Sequence, residues 1–545
     1  MAREQDPNML GSEDLAASSA PPQQDAERPI AAIERPPVSW REFLAVGGIV
    51  LLADYTLFWG HGYAGCGAFF VFASTLLFAG MPSPRYSRHV WVCSGMMILV
   101  TAKLLWCGSP LAVFFGAALV VAIAMSAKGK TPFVLGLIVY ASQTIQAGCL
   151  GIEHYFRSLT RLSPNIPRGN WLNIALPAVT VATFGGLFIL ANPDLATAFG
   201  DGFDWFVNNL SRLLFDRLPT PLEFVFWAAV GWVTIGLLRP VAIAAIDEED
   251  EDYVLATTAH ENAPLYFPFR NMLIMVIGLF AIYLVFEFST LWFREFPRGF
   301  HYSGYAHQGA AWLTVALALA TVILSLVFRG SVWCDPRLPR LRKLAWAWSL
   351  ENVLLALAVY NRLFIYVGFN GMTRMRIIGV LGITAVLVGF IVVLLKIAHN
   401  RSFGWLIRRQ LLTLSVSVYV FALTPLDTIV VRYNVHRILD GDLAPSVQIS
   451  VHPINSEGVA LLRPLLNCSN KTISEGIAAM LADREEHAID RAIVQQRDGW
   501  TAYQIADTWL LNELKSHRSE WARFRDPIAR EKALDAFQKY VYQWY

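Results

Sequence analysis

Charged residues are scarce in this sequence. Asp, Glu, Lys and Arg together make up 16% of the 545 residues, whereas they make up about a quarter of a typical soluble domain. Hydrophobic residues account for 55% of the chain, and its mean hydropathy is positive at +0.43. This composition excludes an ordinary soluble protein and predicts a polytopic membrane protein in contact with the lipid bilayer.

Basic stripes and recognisable cysteine patterns are also absent. The formal net charge is only +2, and no run of Lys and Arg with interleaved aromatic residues stands out, so no nucleic-acid partner is predicted. The six cysteines form no CxxC or other metal-ligand spacing. Most are interpreted as small buried apolar residues, and no metal site, disulfide framework or cofactor is expected.

Catalytic motifs are missing as well. The chain contains no nucleophile elbow, Walker loop, HExxH sequence or zinc signature. Their absence weakens an enzyme interpretation, although an intramembrane transferase can carry only scattered polar residues. No basic n-region leads into an apolar segment and a cleavage site, so no removable signal peptide is expected, and the first span is predicted to act as the insertion signal.

Long apolar runs follow one another through most of the chain. Residues 1–40 are polar and lack apolar periodicity, which predicts a disordered tail. Residues 41–426 carry the predicted transmembrane bundle, and residues 427–545 are predicted to form a small, mostly helical C-terminal aqueous domain. The predicted fold is therefore an all-α polytopic membrane protein with a helical bundle of about 11–12 spans. The candidate spans are 43–60, 63–80, 89–106, 109–127, 131–150, 171–192, 222–238, 271–293, 308–328, 344–368, 376–396 and 407–425.

Basic residues in the short loops indicate the orientation. Arg85 and Lys128 follow the second and fourth spans and favour a cytoplasmic N-terminus. The basic segments 329–343 and 396–409 should be cytoplasmic too, but the two halves disagree if every candidate crosses. One fewer crossing reconciles them, most simply if 131–150, which is rich in polar residues, is re-entrant or lies along the interface. The C-terminal domain would then lie outside.

Other segments have recognisable patterns. Apolar residues recur at helical spacing between Leu195 and Leu213, which predicts an interfacial amphipathic helix or a loop helix packed on the bundle. The acidic run 247–252 is interpreted as a solvated loop, because the ligand spacing of a calcium site is absent. Apolar residues alternate over 447–451, which predicts an extended segment, and recur at helical spacing over 473–481, which predicts a helix.

Polar side chains inside the predicted spans are the candidate functional residues, because an ionisable group in a bilayer is costly unless it is paired, hydrated or near an interface. They suggest a polar path or binding site in the bundle, or else interhelical hydrogen bonds and snorkelling of Lys103 and Arg362. Glu351 and Arg362 lie about 16 Å apart along one helix and cannot pair with each other. His307 begins the ninth span, where an imidazole could relay protons or simply form interfacial hydrogen bonds. The candidates are Asp54, Glu287, His307, Glu351, Asn352, Asn361, Arg362 and Arg374.

The segment from Ala345 to Arg376 carries the most recognisable pattern in the chain. It contains Asn361-Arg362-Leu363, then Tyr366, then the turn Gly371-Met372-Thr373-Arg374-Met375-Arg376. This order resembles a bacterial family of polytopic membrane proteins described as domain of unknown function (DUF) 4173/4153. In that family an Arg-Leu pair precedes a Tyr and a Tyr-Gly-Leu-Thr-Arg-x-Arg turn.

Two other marks agree with the resemblance, which covers roughly 270–445. Tyr302–Gly309 is similar to the start of a family span, and Asn434-Val435-His436-Arg437 with Gly441 is similar to the family's exit into the aqueous tail. His307 and Gln308 replace a more basic pair, and Asn370 stands where the family has an aromatic residue. The family brings no established activity.

The resemblance implies a multi-pass protein of the bacterial inner membrane. Because catalytic motifs are lacking and a distinct aqueous region is present, we predict a non-enzymatic sensory, accessory or scaffolding protein with a protein partner bound through the C-terminal domain. One alternative is a transporter with a polar path near Glu287, Glu351 and Arg362. The other is an intramembrane transferase, whose polar residues would cluster at one membrane face around a lipid-sized cavity.

Overall fold

The computed structural model describes residues 38–162, 177, 180, 219–240, 264–289, 302–328, 332–333 and 335–544. Within these ranges the protein is helical and contains no strand, so the predicted all-α fold is confirmed. A π-helical turn, Asp54–Phe58, extends the first helix. The bundle helices are α1 (Trp40–Ala53), α2 (Tyr63–Gly80), α3 (Arg88–Cys107), α4 (Pro110–Ala127), α5 (Val134–Leu162), α6 (Pro221–Leu238), α7 (Tyr266–Glu287), α8 (Tyr302–Val327), α9 (Leu338–Asn370), α10 (Arg374–His399) and α11 (Phe403–Leu423).

Eight of the described helices are long and apolar enough to cross a membrane. They are α2, α3, α4, α5, α7, α9, α10 and α11, and shorter apolar stretches lie in α6 and α8. The chain is therefore a multi-pass membrane protein. The candidate span 171–192 falls outside the described residues except at positions 177 and 180, and the segments 195–213 and 247–252 fall outside them entirely.

Hydroxyl side chains mark where many bundle helices begin. Each accepts a hydrogen bond from the backbone N–H three residues further on, which would otherwise have no partner inside the helix. Such an N–H would be costly in lipid, so the cap fixes the start of the span. At α6 the cap is reciprocal, because Glu223 also accepts the backbone N–H of Thr220. The other capping residues are Ser39, Ser87, Ser109, Thr373 and Ser402.

The bundle has two ends, which we call the proximal end, where α1 begins, and the distal end, towards which α1 runs. Short turns make α1 to α4 alternate in direction. Arg239, which follows α6, donates from Nε to Oε1 of Glu42 in the first turn of α1 at 2.5 Å, so α6 ends at the proximal end. Phe133, just after α4, lies 5.5 Å from the guanidinium of Arg409 in α11. Helix α11 therefore begins at the proximal end.

The remaining helices follow the same alternation. Tight turns join α9 to α10 and α10 to α11, so α9 runs towards the distal end and α10 runs back. Arg337 stacks on the ring of Tyr266 at 4.1 Å, which places the start of α7 beside the start of α9. Lys396, near the end of α10, donates to the carbonyl of Phe328 at 2.9 Å. Helix α8 therefore ends at the proximal end.

Helix α5 lies across the bundle rather than along it. The Tyr140 hydroxyl donates to the carbonyl of Leu237 at 3.2 Å, and the Tyr155 ring lies 5.8 Å from the Arg239 guanidinium, although the two tyrosines are about 22 Å apart along α5. Tyr155 also meets Phe43 at the start of α1, with ring centroids 5.0 Å apart. A crossing helix would carry Tyr155 about 30 Å away from the proximal end. These contacts support the non-crossing alternative for this candidate span, despite its length and hydropathy.

The C-terminal helices pack around a core of their own. They are α12 (Leu426–Leu439), α13 (Ser446–Val451), α14 (Ser456–Val459), α15 (Lys471–Asp498), α16 (Ile505–Ser516) and α17 (Pro527–Val541), with short 3-10 turns between them. The helix predicted over 473–481 is confirmed, and Ile473 and Ile477 are fully buried in this core. The extended segment predicted over 447–451 is wrong. These residues form the helix α13, and the packing of Val447 and Ile449 in the core outweighs the alternating pattern.

We expect Gly62→Ala to loosen the C-terminal helices. A Cβ at Gly62 would lie 2.6 Å from the Cα of Ala502, so the 3-10 turn Trp500–Ala502 would have to move away from the start of α2. The expected loss is about 1–3 kcal/mol, measured by thermal unfolding, together with faster hydrogen exchange over 500–508. The control is Gly47→Ala, because a Cβ there meets no atom within 4 Å. Unchanged exchange in Gly62→Ala would contradict the close contact.

Candidate functional site

A chain of four charged side chains joins the bundle to the C-terminal helices. Lys103 of α3 donates to Oε2 of Glu457 in α14 at 3.2 Å. The other oxygen of Glu457 accepts the backbone N–H of Asp427 at 3.4 Å, and the Asp427 carboxylate binds the guanidinium of Arg374 through two hydrogen bonds. The carboxylates of Glu457 and Asp427 are only 3% and 4% exposed. The cluster thus fixes α3 and α10 to α12 and α14, and we call it the junction cluster.

The turn between α9 and α10 is held by an asparagine from α12. Asn434 accepts the backbone N–H of Met372 at 2.6 Å and donates to the carbonyl of the same residue at 2.9 Å. Gly371 adopts φ +84°, and a Cβ there would lie 2.6 Å from the Asn434 side-chain oxygen. Both the backbone conformation and the close approach therefore require glycine.

A second set of contacts holds the ends of α1 to α3. Gln504 accepts the backbone N–H of Gly108 at 2.6 Å and donates to the carbonyl of Leu104 at 2.9 Å, which caps the end of α3. Thr501 accepts the N–H of His61 at 3.2 Å. Two tryptophans of this region meet bundle aromatics. Trp500 donates to the Tyr55 hydroxyl at 3.0 Å, and the ring centroids of Trp509 and Trp106 are 6.4 Å apart.

Glu287 and Arg362 form a buried ion pair between α7 and α9. Nε of Arg362 donates to one oxygen of Glu287 at 2.6 Å, and a terminal nitrogen donates to the other. Tyr283 donates to that second oxygen at 2.8 Å. The two charged side chains are 0% and 6% exposed. Arg362 is too far from Glu351 on α9 to pair with it, and it pairs instead with Glu287 on α7. The two hydrogen bonds form a strong bidentate contact.

The other candidate residues turn towards different neighbours. Asp54 accepts the indole N–H of Trp227 at 2.8 Å. Asn352 donates to the carbonyl of Trp348 at 2.8 Å, whereas its side-chain oxygen and one oxygen of Glu351 are buried without a partner among the described residues. Asn361 is half-buried on α9. His307 lies in α8, but its side chain is outside what the structure describes.

Several structural charges escape the sequence reasoning. The sequence predicts a basic loop over 396–409, yet Lys396 is 1% exposed and donates to two carbonyls at the end of α8. Lys103 forms an ion pair instead of snorkelling. Glu42 and Arg239 pair at the proximal end. These contacts could not be predicted from the spacing of residues in the sequence, because the two partners of each contact lie on helices far apart in the chain.

We expect Glu287→Gln to destabilise the bundle by about 3–5 kcal/mol, because it removes the carboxylate charge that binds the buried guanidinium of Arg362. The double variant Glu287→Leu/Arg362→Leu should recover most of that loss, since apolar residues can replace a buried pair. Thermal unfolding in lipid nanodiscs measures both. The control is Glu351→Gln, which removes a carboxylate outside the pair and should leave stability unchanged or raise it. Equal losses in all three proteins would contradict a structural ion pair.

We expect Asp427→Asn to weaken the junction cluster, because the variant loses the negative charge that binds Arg374. The expected loss is about 1–3 kcal/mol, with faster proteolysis at the α11–α12 connection. Asp440→Asn is the matched control, since Asp440 ends the same helix with its side chain 60% exposed. If both variants behave alike, the junction cluster does not hold the C-terminal helices in place.

Comparisons with known proteins give one result. The profile described as "Domain of unknown function (DUF4153)" matches residues 72–451. Comparisons with curated proteins and with solved structures give no match. The matched range spans most of the bundle, including the α9–α10 turn, together with α12 and α13. The chain belongs to the DUF4153 family.

Proposed function

We propose that this protein is a non-enzymatic accessory protein of the bacterial inner membrane. In this proposal its bundle holds a C-terminal helical domain, residues 427–545, on the extracytoplasmic surface, where the domain contacts a protein partner. The observation that carries the proposal is the attachment of the C-terminal helices to the distal end. Ion pairs of Lys103 and Arg374 and the cap supplied by Gln504 fasten these helices to the end of α3 and to the start of α10.

The distribution of positive charge supports the orientation. Basic residues at the proximal end favour the cytoplasm. The distal turns 59–62, 108–109 and 424–425 contain no Lys or Arg, and Arg374 is paired with Asp427. The N-terminus and the C-terminal domain then lie on opposite sides of the membrane. The basic residues at the proximal end are Arg41, Arg85, Arg88, Lys128, Lys130, Arg239, Arg337, Arg340, Arg342, Lys343, Lys396, Arg401, Arg408 and Arg409.

The path of the chain supports the same orientation. Helices α1 to α4 return the chain to the proximal end, and α5 stays there. Helix α6 begins at the distal end, where Glu223 accepts the indole N–H of Trp59 at 3.2 Å. From α6 to α11 the helices alternate and finish at the distal end. Because the path begins at the proximal end and finishes at the distal end, the number of membrane crossings must be odd. This agrees with eleven of the twelve candidate spans crossing the membrane, with 131–150 as the one that does not.

The contacts of the polar residues count against the two alternatives. A transporter path near Glu287, Glu351 and Arg362 requires side chains that line an opening, whereas Glu287 and Arg362 bind each other directly. Glu351 lies about 16 Å from Arg362 along α9. Asp54 binds Trp227 of α6, whereas the Asn352 amide binds the carbonyl of Trp348 within α9. Asp54, Glu287 and Arg362 therefore act as contacts between helices, not as one catalytic or conducting site.

Reporter fusions test the proposed orientation. Alkaline phosphatase fused after Tyr545 should be active in intact cells, because it would lie outside the cytoplasm, and green fluorescent protein at that point should be dark. The same reporters inserted after Pro84, in the proximal turn between α2 and α3, are the matched control and should give the reverse pattern. A fluorescent C-terminal fusion would contradict the orientation. Turnover of a lipid or sugar substrate by the purified protein, lost in Glu351→Ala, would overturn the accessory role.

A further inference from the structure

A cavity of about 560 Å³ opens between α8, α9 and α10 beneath α13. It is distinct from the ion pair of Glu287 and Arg362, and its volume falls within the range of about 300–1,000 Å³ that is usual for ligand sites. Leu363, Gly382 and Ile383 contribute to an apolar wall on the membrane side. Polar groups of the α9–α10 turn and of α13 cover the distal end of the cavity.

The polar end of the cavity contains a buried arginine. Arg376 is only 5% exposed. It donates to the carbonyl of Gly371, and its guanidinium lies 3.8 Å from the centroid of the Tyr366 ring. No acidic side chain is among its partners in the described part of the chain. A buried cation compensated by a carbonyl and by neutral tyrosine side chains is costly, and an anion in the cavity would reduce that cost.

The surroundings of Arg376 also suit an anion. Arg376 lies in the first turn of α10, where the helix dipole favours negative charge. Asn370, Gln448 and His452 line the same end of the cavity and offer further hydrogen-bonding groups. A guanidinium binds the oxygens of a phosphate through a planar fork, which makes arginine well suited to this anion.

The cavity opens towards the bilayer. Met375 is 63% exposed, and Ala311 and Gly382 are also exposed where α8 and α10 face lipid. The charged end lies level with the first turn of α10, close to the depth of lipid head groups, while the apolar wall extends towards the hydrocarbon region. A ligand that enters sideways from the membrane would place its polar group against Arg376 and its chain against Leu363 and Ile383.

We propose that this cavity binds an anionic glycerophospholipid from the distal leaflet, with its phosphate on Arg376 and the first part of an acyl chain along the apolar wall. The proposal goes beyond the accessory function and does not depend on the identity of a protein partner. It also assigns a role to the second arginine of the family turn, since Arg374 is used in the junction cluster and Arg376 faces the cavity.

Native mass spectrometry of the full-length protein tests the proposal, with phosphatidylglycerol as the probe and phosphatidylcholine and inorganic phosphate as comparisons. The wild type should retain one phosphatidylglycerol at least about tenfold more strongly than phosphatidylcholine. Both lipids offer a phosphate, but the choline cation of phosphatidylcholine opposes the attraction between that phosphate and the buried Arg376. Arg376→Gln should abolish that preference and Arg376→Lys should restore part of it. Inorganic phosphate at millimolar concentration should not displace the lipid, because it lacks the chain.

A second variant keeps the test informative if Arg376→Gln fails to fold. Gly382→Leu should narrow the cavity, because Gly382 lines it and a Cβ there meets no atom within 4 Å. Gly278→Leu is the matched control on α7, where a Cβ likewise meets no atom within 4 Å. We expect retention of phosphatidylglycerol to fall at least about tenfold in Gly382→Leu alone. Equal retention in both variants, equal binding of the two lipids, or displacement by inorganic phosphate would overturn the proposal.

Discussion

The requirement that a charge in a low-dielectric environment find a partner governs this structure. Few charged residues occur in the described helices of the bundle, and several of those that are buried connect helices far apart in the chain. Glu42 binds Arg239, Glu287 binds Arg362, and Lys396 donates to carbonyls at the end of α8. Each contact fixes the position of one helix against another. The same physical constraint at the distal end produces the junction cluster, which carries the C-terminal helices.

The fold could be predicted largely from the sequence because lipid leaves few alternatives. Apolar length identifies a span, since backbone groups in hydrocarbon must be satisfied inside a helix. Ser and Thr before apolar runs mark the helix starts, as Ser87 and Thr373 do. The exception is 131–150, whose hydropathy alone would count as a span. The contacts of α5, which contains most of this segment, with α6 and α1 lie at the proximal end. From the sequence, only the distribution of basic residues among the loops indicates this position.

The site could be predicted only in part. Polar residues inside spans draw attention to Glu287, Arg362 and Arg374, but their partners depend on helix packing that no local pattern records. Asp427 and Glu457 lie in the segment predicted as aqueous, where acidic residues are ordinary and indicate no special role. Both are nevertheless buried in the junction cluster. Arg376 belongs to the recognised turn, but its place beside a cavity follows from the way α13 covers α9 and α10. The family resemblance finds the turn without giving its chemistry.

The charges of the distal end fasten the C-terminal helices to the bundle. A double-mutant cycle on Lys103 and Glu457 tests this attachment most directly, because the two residues meet at 3.2 Å and belong to the two parts that it connects. Lys103→Met, Glu457→Gln and the double variant would be unfolded thermally in lipid nanodiscs. We expect a coupling free energy of about 1–3 kcal/mol. Additive losses with a coupling free energy near zero would contradict it.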